Sequence, residues 1–257
     1  MITGVLMNWK RPANVARIVA GWKAGGIVTE AIVWNNNPDP QSALPKGLPA
    51  KVVQAGQDMG LYTRFAVACL AETECVLIQD DDLELPTESL RRLHDSWQRD
   101  PDILHGVFGR APKPDGSYAQ NILGEADAPV VLTRVLLAHR RYFAEFFLHA
   151  PRFAEVQSQS RPVGNGEDII LSYVARHSSG RLNRVHDIPV RELPAPHAMH
   201  GRNWAANIAH RTRLLQACEA WLQPSARVDD VVQPEIRYCD ELQPDRTMKS
   251  WEELHAS

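Results

Sequence analysis

The chain has little cysteine. Its four cysteines (Cys69, Cys75, Cys218, Cys239) form no Cys-x-x-Cys pair, which excludes the common zinc and dithiol redox motifs. Cys69 and Cys75 lie in apolar segments and read as buried free thiols. No hydrophobic run is long enough to span a bilayer. Met1 to Asn8 lead straight into a strand pattern, with neither a charged n-region nor a small-residue cleavage site. Lys and Arg are spread along a chain of net charge −3, without the basic stripe of a nucleic-acid binder. Internal repeats and a convincing linker are absent as well. These absences lead us to expect a cytoplasmic soluble protein with no nucleic-acid partner and no transmembrane segment, though a peripheral place at the inner membrane face is allowed. The 257 residues, 44% hydrophobic and 23% charged, suffice for one large core. We read one domain over residues 1–223, with 224–257 as a polar, proline-containing tail of the same domain.

Strand and helix signals alternate through the first third. Ile2 to Met7 is a short apolar run. After the Arg11-Pro12 break, Val15, Ile18, Val19 and Trp22 recur at the spacing of a helix burying one face, and Gly25-Gly26 ends it. Strands follow at Ala31–Trp34 and Lys51–Val53, then a helix from Leu61 to Leu70 and a strand running into Asp80. Such alternation predicts an α/β fold with a mostly parallel, Rossmann-like sheet flanked by helices. Further on, Leu90, Leu93 and Trp97 mark a helix, 111–126 reads as a loop, and Val130–Leu132 as a strand leading into a helix that ends near Leu148. Residues 153–163 are polar and read as mobile. Ile169–Ala175 is helical, Val185–Val190 a strand, and Trp204–Leu222 a long last helix.

The chemistry concentrates at Asp80-Asp81-Asp82, directly after the apolar run Cys75–Gln79. An acidic run is usually a solvated turn, but this one closes a buried strand, where open α/β sheets bind ligands. Three adjacent carboxylates beside buried backbone repel each other unless something neutralises them. A divalent cation is the simplest partner, and oxygen ligands suit Mn²⁺ or Mg²⁺ shared with substrate phosphates. A second constellation, Gly164-Asn165-Gly166-Glu167-Asp168, opens a helix. Its acids fit a helix N-terminus structurally, with Asn165 as N-cap, and equally fit a catalytic carboxylate. Asn35 and Asn36 end a strand, to serve a turn or bind a nucleoside. Arg64 is either an ordinary exposed helix residue or a diphosphate clamp. In Pro196 to Arg202, His197 or His200 would complete a metal shell and Arg202 hold a leaving phosphate.

In chain order, Asn8-Trp9-Lys10-Arg11, Trp34-Asn35-Asn36, the helix with Arg64, Ile78-Gln79-Asp80-Asp81-Asp82, Gly106 to Arg110 and Asn165-Gly166-Glu167-Asp168-Ile169 resemble the exostosin-like glycosyltransferases of family 64. The resemblance runs from about Ile2 to Leu222. It implies the GT-A fold, with a smaller acceptor-side C-terminal part, and a retaining, Mn²⁺-dependent transfer from a nucleoside-diphosphate sugar. A UDP-linked N-acetylhexosamine is favoured as donor, and a glycan or glycolipid as acceptor. By the same resemblance Asn8, Arg11, Asn35, Asn36, Arg64, Asp80 and Asp81 would bind the nucleotide sugar, and Asp82 with His200 the metal. Asp168 would be the catalytic carboxylate beside the anomeric carbon, with Glu167 next to it. Either Arg202 or Arg211 would support the leaving group. Lumenal members carry a Cys where this chain has Gly166 and a partner before the last helix. Losing both fits a reducing compartment and removes that tie from the Asp168 loop. Three other readings compete: an inverting transferase with Asp168 as general base, a nucleotidyltransferase, which ranks low because Asn8 to Pro12 after the first strand holds no glycine, and a non-catalytic module that binds a sugar nucleotide or glycan.

Overall fold

The computed structural model describes residues 1–122, 124–158, 160, 164–195 and 204–222, together with the strand Tyr238–Cys239. The elements in chain order are β1 (Ile2–Asn8), α1 (Pro12–Gly25), β2 (Val28–Asn35), β3 (Lys51–Gln54), α2 (Thr63–Ala68), β4 (Cys75–Gln79), β5 (Leu83–Glu84) and α3 (Thr87–Arg99). There follow β6 (His105–Gly106), β7 (Gly109–Ala111), β8 (Gln120–Ile122), β9 (Ala126–Ala128), β10 (Val130–Val131), β11 (Val135–His139) and α4 (Arg141–His149). Last come α5 (Ala154–Gln157), α6 (Glu167–Ser179), β12 (Asn183–Val185), β13 (Arg191–Glu192), α7 (Trp204–Leu222) and β14 (Tyr238–Cys239).

The main sheet has the order β3-β2-β1-β4-β11-β6-β12-β9. Strands β3, β2, β1 and β4 are parallel, as the alternating pattern predicts. From β1 the chain first moves outward through α1 to β2, then returns through α2 to β4 on the other side of β1. Right-handed crossovers in opposite directions put α1 and α2 on opposite faces of the sheet. Accordingly α1 packs with α3, while α2, α4, α6 and α7 form a second, linked layer. The strand order reverses between β1 and β4, so the crevice outside their carboxyl ends is the topological switch point.

Local sequence explains the main pieces. Pro12 occupies the first turn of α1, where its missing N–H costs nothing. Val15, Ile18, Val19 and Trp22 bury one face, and Gly26 closes the helix at φ +70° with its N–H on Trp22 O. Gly4 lets the helix come close: a Cβ there would lie 2.4 Å from the Trp22 ring. In α6, Glu167 through Ala175 are all buried, so this helix is the centre of its layer rather than an amphipathic cover.

Several parts of the sequence reading change: of the strand read over Val185–Val190 only Val185 is in a strand, at the end of β12, and Ala154–Gln157, in the stretch read as mobile, is helical. Val135–His139, taken as the way into a helix, is strand β11, antiparallel to both β4 and β6. Five apolar-rich residues carry no period that separates a buried strand from a helix. Within 111–126, Gln120–Ile122 is a strand, pairing with Gly109–Ala111. The smaller second sheet, β10-β7-β8-β14, is therefore built mainly from the middle of the chain, and β14 joins it from beyond residue 223.

Candidate active site

The ends of β1, β2 and β4 converge on one edge of the sheet, with Asn8 opposite Asn35 and Leu6 opposite Gln79. Asp80, Asp81 and Asp82 follow β4 into this crevice, and the Asp80 N–H is tied to Arg134 O at 2.9 Å. Two arginines of the chain itself lie against the triplet, partners that the sequence reading did not bring together with it. Arg11 Nη1 hydrogen-bonds Asp81 Oδ1 and lies 3.3 Å from Asp82 Oδ2. Arg64 Nη1 donates to Asp80 Oδ1 at 2.8 Å, and its Nη2 donates to Glu167 Oε1. Burial pushes the Asp81 carboxyl up to about 6; Arg11 pulls against this shift, while Asp80 and Asp82 add to it.

Arg64 is buried, so it is a strut between two carboxylates rather than an open diphosphate clamp. Burial alone would lower its guanidinium, but Glu167 and Asp80 lift it above its usual value. It joins the end of β4 to the start of α6 across 103 residues of sequence. Glu167 also accepts from Thr133 Oγ1 at 3.1 Å. Burial raises its carboxyl despite Arg64.

The asparagines form a buried lattice. Asn8 Nδ2 donates to Asn35 Oδ1 at 2.8 Å and to Ser42 O at 2.9 Å. Asn35 Nδ2 donates to Gln54 Oε1 at 2.7 Å. Asn36 Nδ2 donates to Asp58 Oδ1 at 2.7 Å, and Asn36 Oδ1 accepts from Trp34 Nε1 and Met59 N, each at 3.0 Å. These amides satisfy one another and the loop backbone, the turn-bracing role that Asn favours. Trp9, whose carbonyl accepts from Asn37 Nδ2 at 2.6 Å, is 37% exposed.

Asp168 begins α6 and is held from two sides: Ile169 N donates to Oδ1 at 2.9 Å and Arg211 Nη2 to Oδ2 at 2.5 Å. Arg211, on α7, also donates to Asn165 Oδ1 at 3.0 Å and to Tyr118 OH at 2.8 Å, and lies 4.5 Å over the Tyr118 ring. Of the two eligible arginines, Arg211 is the described one, and it lies at Asp168. Pro196 to Asn203, including His197, His200 and Arg202, lie outside the described residues. Asn165 does not cap α6, as expected from sequence; Gly166 at φ +92° does. Instead the Asn165 amide donates to Asn207 at 2.7 Å and its carbonyl accepts from Gln157 at 3.1 Å, with His210 Nε2 also 3.1 Å from that carbonyl. A Cβ on Gly166 would meet Leu214 at 2.5 Å. Thus α7 docks closely on the Asp168 loop through packing and hydrogen bonds. Tyr118, Thr133 and Asp58 were missed: Tyr118 sits in a segment read as loop, and nothing in its spacing connects it with Arg211.

Among the described residues no group of three His, Cys, Asp or Glu side chains is arranged to hold a metal ion. A divalent ion that shares its shell with substrate phosphates needs only one or two protein carboxylates. Asp82, 17% exposed in its side chain, offers one. Asp81 Oδ2 is buried with no hydrogen-bond partner among the described residues. The donor set fits such an ion.

A doubly wound α/β frame with an acidic cluster at its switch point defines a GT-A-type glycosyltransferase fold. The structure of GalNAc-T7 with UDP, GalNAc and Mn²⁺ matches it with a TM-score of 0.62 at 12% identity, over 87% of this chain and 49% of that one. A mannosyltransferase from Pyrobaculum calidifontis in complex with GDP-Man and Mn²⁺ matches with a TM-score of 0.50 at 13% identity, over 88% of this chain and 65% of that one. At such identities the likeness concerns the fold. The chain belongs to glycosyl transferase family 64, whose domain profile matches residues 2–223. An exostosin-like-3 homolog from Caenorhabditis elegans is 28% identical over 57% of this chain and 18% of the relative. Glycosyltransferase family protein 64 C3 from Arabidopsis thaliana is 27% identical over 62% and 52%. Exostosin-2 from Homo sapiens is 26% identical over 70% and 26%. The chain therefore spans about half the length of the plant relative and 18% and 26% of the two animal proteins.

Proposed function

We propose that this protein transfers a sugar, an N-acetylhexosamine in first place, from a nucleoside-diphosphate sugar to a glycan or glycolipid acceptor with retention of anomeric configuration. UDP is the favoured nucleotide and Mn²⁺ or Mg²⁺ the ion. The observation that carries this reading is the Arg64 bridge, which joins the acidic triplet at the switch point to Glu167-Asp168 and so makes one site of two. Among the described residues no helix is long and apolar enough to cross a membrane.

The nucleoside would lie beside Trp9 and the loops braced by Asn8, Asn35 and Asn36. Asp80 and Asp82 would face the sugar–diphosphate junction, with Asp81 behind them. A divalent ion held by Asp82 and the donor phosphates would neutralise charge building on the leaving diphosphate. The bond from the anomeric carbon to the diphosphate oxygen breaks, and the nucleoside diphosphate leaves with the electron pair. Asp168 stabilises the oxocarbenium-like carbon electrostatically, and Arg211 fixes the carboxylate. The acceptor oxygen bonds the carbon from the face the diphosphate is leaving, and its proton passes to the departing phosphate oxygen. Both Asp168 oxygens already accept hydrogen bonds, from Ile169 N and from Arg211. That favours a fixed stabiliser over a base that must take a proton, and so retention over inversion.

A donor panel read by nucleoside-diphosphate release, with and without Mn²⁺, tests the reading, and the NMR coupling of the product anomer decides the stereochemistry. Asp168→Asn should cut turnover by about 10²-fold or more, the cost of losing an electrostatic transition-state contact, while donor binding survives. Near-wild-type turnover in that variant refutes the role. A protein that binds donor but neither transfers nor hydrolyses it is the binding module.

A further inference from the structure

Asp81 and Asp82 already hold a cation, and it belongs to the chain. A single nitrogen of Arg11, Nη1, bonds Asp81 Oδ1 and sits 3.3 Å from Asp82 Oδ2. This is the ground that a divalent ion on the triplet must occupy. Arg11 stands at the mouth of α1, on a turn held by its own N–H donating to Asn8 Oδ1 at 3.1 Å. Its side chain is 14% exposed, against 7% for Arg64. The pair is incomplete on both sides, since Arg11 Nε and Asp81 Oδ2 are buried without partners among the described residues.

We propose that Arg11 is an exchangeable counter-ion. It holds the Asp81–Asp82 carboxylates while the donor site is empty, competes with the divalent ion for them, and moves onto the donor diphosphate when nucleotide and metal arrive together. The proposal rests on the reading that the site takes a metal-bound nucleoside-diphosphate sugar. A guanidinium and a dication repel each other on shared carboxylates, whereas a diphosphate offers the guanidinium paired acceptor oxygens. Nucleotide binding therefore frees the metal position, and metal binding frees Arg11 for the nucleotide. By linkage each tightens the other.

The test is Mn²⁺ affinity of the full chain, read by the electron paramagnetic resonance signal of free Mn²⁺, with and without UDP or GDP. Wild-type protein should bind Mn²⁺ weakly alone and about tenfold or more tightly with nucleotide, within the usual span of coupling energies. Arg11→Gln removes the competitor: Mn²⁺ alone should bind about tenfold more tightly than to wild type, and most of the coupling to nucleotide should vanish. Arg11→Lys keeps the charge and should retain weak nucleotide-free Mn²⁺ binding, which separates the charge effect from a folding defect. If Arg11→Gln and wild type bind Mn²⁺ alone equally, and both show the same coupling to nucleotide, the exchange is refuted while the donor–metal reading stands. If no protein binds Mn²⁺ even with nucleotide, the donor–metal reading itself fails and the exchange falls with it.

Discussion

Replacing Arg64 by methionine separates a structural strut from a diphosphate clamp. Arg64 is 6% exposed and Glu167 4%. Without the guanidinium, Glu167 keeps one hydroxyl donor, Thr133, and has Asp168 as its chain neighbour. Asp80, a third exposed in its side chain, can turn to water, so the penalty falls mainly on Glu167. Breaking a buried pair by removing one partner costs about 3–5 kcal/mol. Glu167 can escape part of that cost by taking up a proton, because burial already raises its carboxyl and Arg64 is the largest force opposing the rise. In the variant the native state would bind more protons than the unfolded chain, whose glutamates titrate near pH 4.3. Stability must then fall as pH rises. We expect a loss near the lower figure at about pH 5.5 and near the upper one at about pH 8. Urea unfolding at both pH values, with unchanged m, measures it. Arg64→Met/Glu167→Gln should recover more than half of the loss. A single variant that loses under about 1 kcal/mol, without pH dependence, refutes the strut. If stability holds while donor affinity collapses, Arg64 belongs on the diphosphate instead.

Two further outcomes follow from buried groups away from the crevice. His105 Nδ1 and His186 Nε2 lie 3.0 Å apart in a buried stacked pair, and burial lowers both imidazoles, His186 to about 4. An unfolded histidine titrates near 6.5, so the stability present above that value is lost as pH falls from about 6.5 toward 4. The loss from His186 is at most about 3 kcal/mol; His186→Gln should flatten that part of the acid limb in urea titrations, and an unchanged limb would remove His186 as its source. Gly4→Ala drives a methyl into the Trp22 ring and should cost about 1–3 kcal/mol of overpacking. An unshifted thermal midpoint would mean that α1 does not ride on β1 as described.

The positions of the carboxylates were legible in the sequence because backbone geometry puts them there. An apolar strand must end, and Asp80 is where β4 ends; a helix opening on Gly166 takes acids in its first turn. The partners were not legible. Arg64 meets Glu167 across 103 residues, and Arg211 meets Asp168 across 43, and no local period carries such pairings. For that reason the sequence offers the triplet a candidate metal but not the arginines that share it. Strand β11 was misread for a related cause: Leu136-Leu137 are apolar in any element, and only the neighbours β4 and β6 decide in favour of extension. The absent disulfide looked like a slack loop, yet α7 closes on Gly166 and returns Arg211, His210 and Asn207 to it, contacts that sequence spacing could not announce.

The balance of charge in the connected cluster bears directly on how a donor would enter. Among the described residues, Asp80, Asp81, Asp82, Glu167 and Asp168 face Arg11, Arg64 and Arg211, so within these pairs five carboxylates meet three guanidiniums. Burial raises the Asp81 and Glu167 carboxyls, so proton uptake there lowers the negative charge as pH falls. A bare diphosphate approaching such a cleft meets net repulsion in a medium of lowered dielectric. A dication arriving with the diphosphate cancels the excess and leaves Arg11 a phosphate to hold. On this argument the proposed metal requirement comes from the sign of the whole cluster as much as from the ligand atoms of Asp82. Donor binding without a divalent ion should then weaken further as the pH rises and Asp81 and Glu167 ionise, whereas a site whose metal served only in the bond-breaking step would bind donor equally well without it.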